Sequence, residues 1–108
     1  MKGDTHIGIP LPMADGWEYK GQPMMMSEFG GTAFAADKGK GWGYGSAVKD
    51  AEDYLKRFKS LVQAVKKMPL CGYCYTQLTD VQQEMNGLLR EDRTSKADIS
   101  EIRKINLI

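Results

Sequence analysis

The most regular pattern in the chain is one apolar stripe. Ala51, Tyr54, Leu55, Phe58, Leu61, Val62 and Val65 recur at helical spacing, with lysines, an arginine and acids on the opposite side. Asp50, with Asp53 three residues on, supplies a start, and Lys66, Lys67 and Pro69 supply a stop, so the pattern predicts a helix over about 50–67. Two runs without polar alternation flank it. One is "PMMMS", residues 23–27, which leads straight into Glu28; the other is "PLCGYCYTQL", residues 69–78. They read as strands at about 24–28 and 70–76, apolar on both faces like strands of a parallel sheet covered by helices. In "DISEIRKINLI", residues 98–108, Ile99, Ile102 and Ile105 recur every third residue behind Asp98 and Glu101, which have capping-box-like spacing. A last helix is expected there.

The rest reads as connection. Residues 1–22 hold Gly3, Gly8, Pro10, Pro12, Gly16 and Gly21 with little periodicity, the composition of an irregular loop or linker. "FGGTAFAADKGKGWGYGS", residues 29–46, carries six glycines and reads as a long loop. The order strand, helix, strand, helix leaves enough chain between the strands for a parallel crossover. Two strands do not make a stable α/β sheet by themselves. A closed (β/α)8 barrel takes about 250 residues in eight βα units, and the two units read over residues 23–108 are a quarter of that set. Pattern and length thus predict either a portion of a larger sheet or a subunit that completes its sheet with other copies.

Charge and cysteine content narrow the classes. Fifteen basic residues against 14 acidic ones give a net charge of +1, so no basic stripe invites nucleic acid or an anionic membrane. No apolar run approaches the ~20 residues of a membrane span, and no leader-like pattern opens the chain. A soluble, cytoplasmic product is expected. Cys71 and Cys74 have the spacing of a redox pair or half a zinc site. Yet residues three apart on a strand face opposite ways, and His6 is the only histidine. Two buried core thiols are therefore expected, with no metal or cofactor; a thiol oxidoreductase is the weaker alternative.

Glu28 is the residue that asks for a role, because a carboxylate at the end of an apolar strand is costly without partners. From the pattern alone, a paired acid and a working acid fit equally well. The motifs around it resemble glycoside hydrolase family 2, the group of β-galactosidases, β-glucuronidases and β-mannosidases. "PMMMSEFGG" is similar to the seventh barrel strand of that family, an apolar run ending in Ser-Glu-Phe/Tyr-Gly. "CGYCYTQLTDVQQEMNGLLREDR" is similar to the eighth strand and its loop, which ends in Asn-Gly-Leu, a short gap and Asp-Arg. The resemblance spans about residues 17–108.

The resemblance implies the C-terminal βαβα portion of a TIM barrel, strands seven and eight with their helices, acting on O-glycosidic bonds. By it, Glu28 is the catalytic nucleophile of a retaining β-glycosidase, placed where such barrels build their sites. The family's acid/base glutamate belongs to an Asn-Glu pair on the fourth strand. No such pair occurs here, and neither Asp80 nor Glu84 matches that position. The chain is thus expected to hold half of a catalytic pair and to be inactive alone, with a carbohydrate substrate and the remainder of the barrel, or further copies, as partners.

The same resemblance marks Tyr75 as a floor for the sugar, with core packing the equal alternative. It marks Gln77, Asp80 and Asn86 as groups near sugar hydroxyls, although polar loop residues such as Gln77 and Asp80 are more often just solvated. It marks Trp42, with Tyr44, as a stacking aromatic, with folding back onto the barrel rim the equal alternative. Members that cleave glucuronides carry Asn-x-Lys before the loop glycine; the stretch Glu84, Met85, Asn86, Gly87 has no lysine. That favours a neutral sugar such as a β-galactoside. The competing reading is a free-standing carbohydrate-binding or self-associating βαβα module.

Overall fold

The computed structural model describes residues 13–34 and 44–107, and it is a small α/β unit of parallel strands and two helices. The elements are β1 (Met25–Gly30), β2 (Thr32–Phe34), β3 (Tyr44–Val48), α1 (Ala51–Lys66), β4 (Gly72–Thr76) and α2 (Ile99–Leu107). Strands β1 and β4 are parallel neighbours joined across α1, and β2 pairs in parallel with β3. Residues 13–24 contain neither helix nor strand.

Helix α1 forms where its stripe predicts. Asp50 is extended and its Oδ1 accepts from the Asp53 amide at 2.9 Å, satisfying one of the free donors of the first turn. Glu52 and Asp53 favour the positive helix start, and Lys66 the negative end. Tyr54, Phe58, Val62 and Val65 are buried, whereas Ala51 is exposed. Helix α2 begins behind Asp98, whose Oδ1 takes both the amide and the hydroxyl of Ser100. Glu101 does not close a reciprocal box; its carboxylate takes Lys104 Nζ at 2.6 Å instead. Ile102 and Ile105 are buried, and Ile99 is exposed.

The core lies between the helices and one face of the strands. Phe34, Val48, Tyr54, Phe58, Val62, Ala97, Ile102 and Ile105 are buried together, with Phe29, Tyr73 and Tyr75 packed against them. Phe29 meets Tyr73 and Tyr75 edge-on at 5.6 and 5.4 Å, and Tyr75 meets Phe58 at 5.0 Å.

Three expectations are corrected here. The strands are not buried on both faces: Met25 is 57% exposed, and Ser27, Glu28 and Cys74 are exposed too. Only one face has helices to cover it. For the same reason Cys71 and Cys74 are free exposed thiols and not core residues. Residues 29–46 are not one loop, since β1 ends at Gly30, β2 lies within them and β3 starts at Tyr44. Thr32 and Phe34, like Tyr44, Ser46 and Val48, alternate at the period of a strand, a signal hidden by the glycines between.

Candidate active site

The C-terminal ends of β1 and β4 lie side by side, because the strands are parallel and paired to their last residues. Phe29 stands opposite Tyr75 and Gly30 opposite Thr76, and the Gly31 amide donates to the Thr76 carbonyl at 2.7 Å. Between Met26, opposite Tyr73, and Phe29, opposite Tyr75, β1 holds two residues where β4 holds one. The extra residue makes a β-bulge. Phe29 packs against the helix-covered core and Met26, opposite Tyr73, is half-buried, whereas Ser27 and Glu28 are both exposed to solvent. The bulge therefore sets the exposure of Glu28, which a regular strand would have alternated with its neighbours. It also removes the burial cost anticipated from the sequence.

The two glycines after Glu28 are required by this geometry. Gly30 has φ of +105° and Gly31 of +66°, a region that suits glycine. A β-carbon on Gly30 would lie 2.3 Å from Tyr75 Cε2, so the ring can pack there only against a bare backbone. Tyr75 thus sits between Phe29, Phe58 and Gly30 on the helix-covered side, not on the side to which Glu28 turns. Core packing, the alternative to a sugar floor, is what its position supports. The Thr76–Gln77 peptide that follows is cis.

Beyond β4 the loop folds back on itself and brings a polar cradle to the strand ends. The Leu88 amide donates to the Gln77 carbonyl, the Leu89 amide to Leu78 and the Asp80 amide to Leu89. Gln77 Nε2 donates to Asn86 Oδ1 at 2.7 Å, and Asn86 Nδ2 donates to Glu84 Oε1 at 3.3 Å. Asn86 is fully buried, so its amide organises Gln77 and Glu84 and does not itself meet solvent. Gln77 and Glu84 are the half-buried members of the cradle.

Asp80 is not a solvated sugar contact. It is 2% exposed, and its Oδ1 accepts from Lys96 Nζ and from the Gly87 amide, both at 2.7 Å. Lys96 Nζ also donates to the Met85 carbonyl, and Tyr54 Oη donates to the Gly87 carbonyl at 3.0 Å. Gly87 has no room for a side chain, because a β-carbon would come within 2.3 Å of the Thr79 carbonyl carbon. These buried contacts fasten the loop to α1. Burial, with Tyr75 and Asp80 nearby, pushes the Tyr54 hydroxyl far above the usual tyrosine range, and burial likewise raises Tyr75.

Of the site residues read from sequence, Glu28 and Gln77 are brought to one end of the strand pair. Asn86 and Asp80 stand behind them as supports, Tyr75 lies in the core, and Trp42 falls outside the described residues. Lys96 and Tyr54 were not foreseen as parts of this region. Tyr54 reads only as a member of the helix stripe, and nothing in "TSKAD" sets Lys96 apart from a surface lysine. Among the described residues no group of histidine, cysteine and acidic side chains could hold a metal, and no helix is long and apolar enough to cross a membrane. No protein-family model matches the chain, and no curated protein matches it either.

Proposed function

We propose that the chain is the C-terminal quarter of the catalytic barrel of a retaining β-glycosidase, with Glu28 as the nucleophile and the acid/base supplied by sequence outside these residues. The observation that carries this reading is the β-bulge at the end of β1. Bulges re-aim side chains beside active sites, and this one turns out the glutamate of the Ser-Glu-Phe-Gly motif. The parallel pairing adds support, because sites in such barrels form at the C-terminal ends of the strands. Glu28 would attack the anomeric carbon and expel the leaving oxygen, forming a glycosyl ester that water then hydrolyses.

The chain offers no acid/base of its own in this scheme. Asp80 is held in the interior by Lys96 and the Gly87 amide. Lys96 is also the one lysine among residues 77–98, and it is buried on Asp80, while Glu84 faces the Gln77 cradle. A sugar carboxylate would find an acid there and no lysine, so a neutral β-glycoside such as a β-galactoside is the proposed substrate.

The test is the intact mass of the chain after incubation with 2-fluoro-glycosides bearing leaving groups that need no protonation. One sugar adduct on Glu28, absent in Glu28→Gln, is expected, and the sugar that reacts fastest names the specificity. An unchanged mass with every sugar in the panel would count against a nucleophile assembled by this piece and would favour the binding-module reading.

A further inference from the structure

We propose, resting on the glycosidase reading above, that Gln77 and Glu84 form a subsite that accepts hydrogen bonds from two neighbouring sugar hydroxyls and donates none. The polarity of this cradle follows from its one carboxylate. An ionised carboxylate only accepts, so the group of Asn86 that meets Glu84 Oε1 at 3.3 Å is its donor end, Nδ2. Asn86 therefore turns Oδ1 toward Gln77, which answers with Nε2 at 2.7 Å. The second hydrogen of Nε2 goes to the Glu84 carbonyl at 3.3 Å, again a group that only accepts. Asn86 is fully buried, so the order of donors and acceptors is fixed from the interior.

What the cradle leaves for a ligand is thereby decided. With both Nε2 hydrogens committed, Gln77 has only Oε1 to offer, and Glu84 has Oε2. Neither oxygen makes a hydrogen bond among the described residues. The buried side-chain oxygens without a partner there are Tyr75 Oη and Asp80 Oδ2, so these two reach solvent. The nearby Lys96 adds no donor, because its Nζ is buried against Asp80 Oδ1 and the Met85 carbonyl. Gln77 directly follows the end of β4, where Thr76 stands opposite Gly30 in the motif that carries Glu28. The open face is two acceptors and no donor. Neighbouring hydroxyls can both donate to it, whereas a carboxylate or an ether oxygen leaves it unsatisfied.

The probes are methyl β-galactoside and its monodeoxy and monofluoro analogues, titrated into isotope-labelled chain with the Gln77 side-chain amide signals as reporter. Fluorine cannot donate a hydrogen bond, so it separates the two roles of a hydroxyl. Two adjacent ring positions are expected at which the deoxy and the fluoro analogue both bind about tenfold more weakly than the parent sugar. Glu84→Gln should weaken the parent sugar by about the same factor, and the penalty at one of the two positions should vanish with it. A thermal melt matching that of the parent chain verifies the fold of this variant. Fluoro analogues that all bind like the parent sugar overturn the proposal, as does unchanged affinity in folded Glu84→Gln. So does a Gln77 amide that no sugar of the series shifts. A Glu28 adduct without this hydroxyl dependence removes the subsite alone; hydroxyl dependence without an adduct removes the nucleophile alone.

Discussion

The ring of Tyr75 occupies the space that a side chain on Gly30 would need, with Cε2 only 2.3 Å from the position of a β-carbon. The contact links the motif that carries Glu28 to the core that carries α1, because the same ring packs on Phe58 at 5.0 Å. Gly30→Ala meets two penalties together, a φ of +105° and an overpacked ring. A loss of about 2–4 kcal/mol is expected from these terms. Denaturant titration of Gly30→Ala with and without Tyr75→Leu checks the cause: the smaller side chain should recover part of the loss, and a purely additive pair would show that the clash is not its source.

The Asp80–Lys96 pair is the second fastening, and both side chains are almost wholly removed from solvent. Removing one partner strands a buried charge. Lys96→Met is expected to destabilise the chain by about 3–5 kcal/mol, with Asp80→Asn in the same background restoring much of it. The readout is again the denaturation midpoint. Amide exchange at Gly87 adds a local one, since its amide is bound to Asp80 Oδ1 and should lose protection first.

Alkaline pH should act through the two tyrosines that flank this loop. Tyr54 and Tyr75 both have hydroxyls raised above the normal value, chiefly by burial. Unfolded tyrosines lose their protons at about pH 10, while these two hold theirs to higher pH when folded. The unfolded state therefore binds fewer protons above that pH. Stability is intact below about pH 10 and falls as pH rises beyond it, by up to about 1.4 kcal/mol per pH unit for each tyrosine. Tyr54→Phe should be weaker at neutral pH, having lost its bond to Gly87, yet show a shallower alkaline slope. A slope identical to that of the parent chain would mean that Tyr54 ionises freely in the fold.

How much of this could be read from the chain depends on the range of the interaction. The stripe from Tyr54 to Val65 and the capping by Asp50 are local, so α1 was legible residue by residue. The parallel pairing of β1 with β4 followed from order and spacing. The bulge did not, because one extra residue in a register is visible only when both strands are aligned, and "MMMSEF" carries no mark of it. Asp80 read as a polar loop residue for the same reason: its partner Lys96 lies 16 positions away, and only the folded loop brings them together. The cysteines were misjudged differently. Strand composition implies two covered faces, and these residues supply helices for only one.

That uncovered face sets the last expectation. Met25 and Cys74 point away from the aromatic layer of Phe29, Tyr73 and Tyr75, and the strand pair has unpaired edges among the described residues. A two-stranded sheet with open edges and an uncovered face that exposes Met25 is marginal in water and tends to pair with other chains. Sedimentation velocity should therefore show association that grows with concentration, and Met25→Lys should shift the distribution toward monomer. Maleimide labelling locates the contact independently. Both thiols should react in dilute native protein, and Cys74 should become protected as concentration rises. If Cys74 labels at the same rate throughout while the chain associates, the copies meet elsewhere and the uncovered face of β1 and β4 is not what joins them.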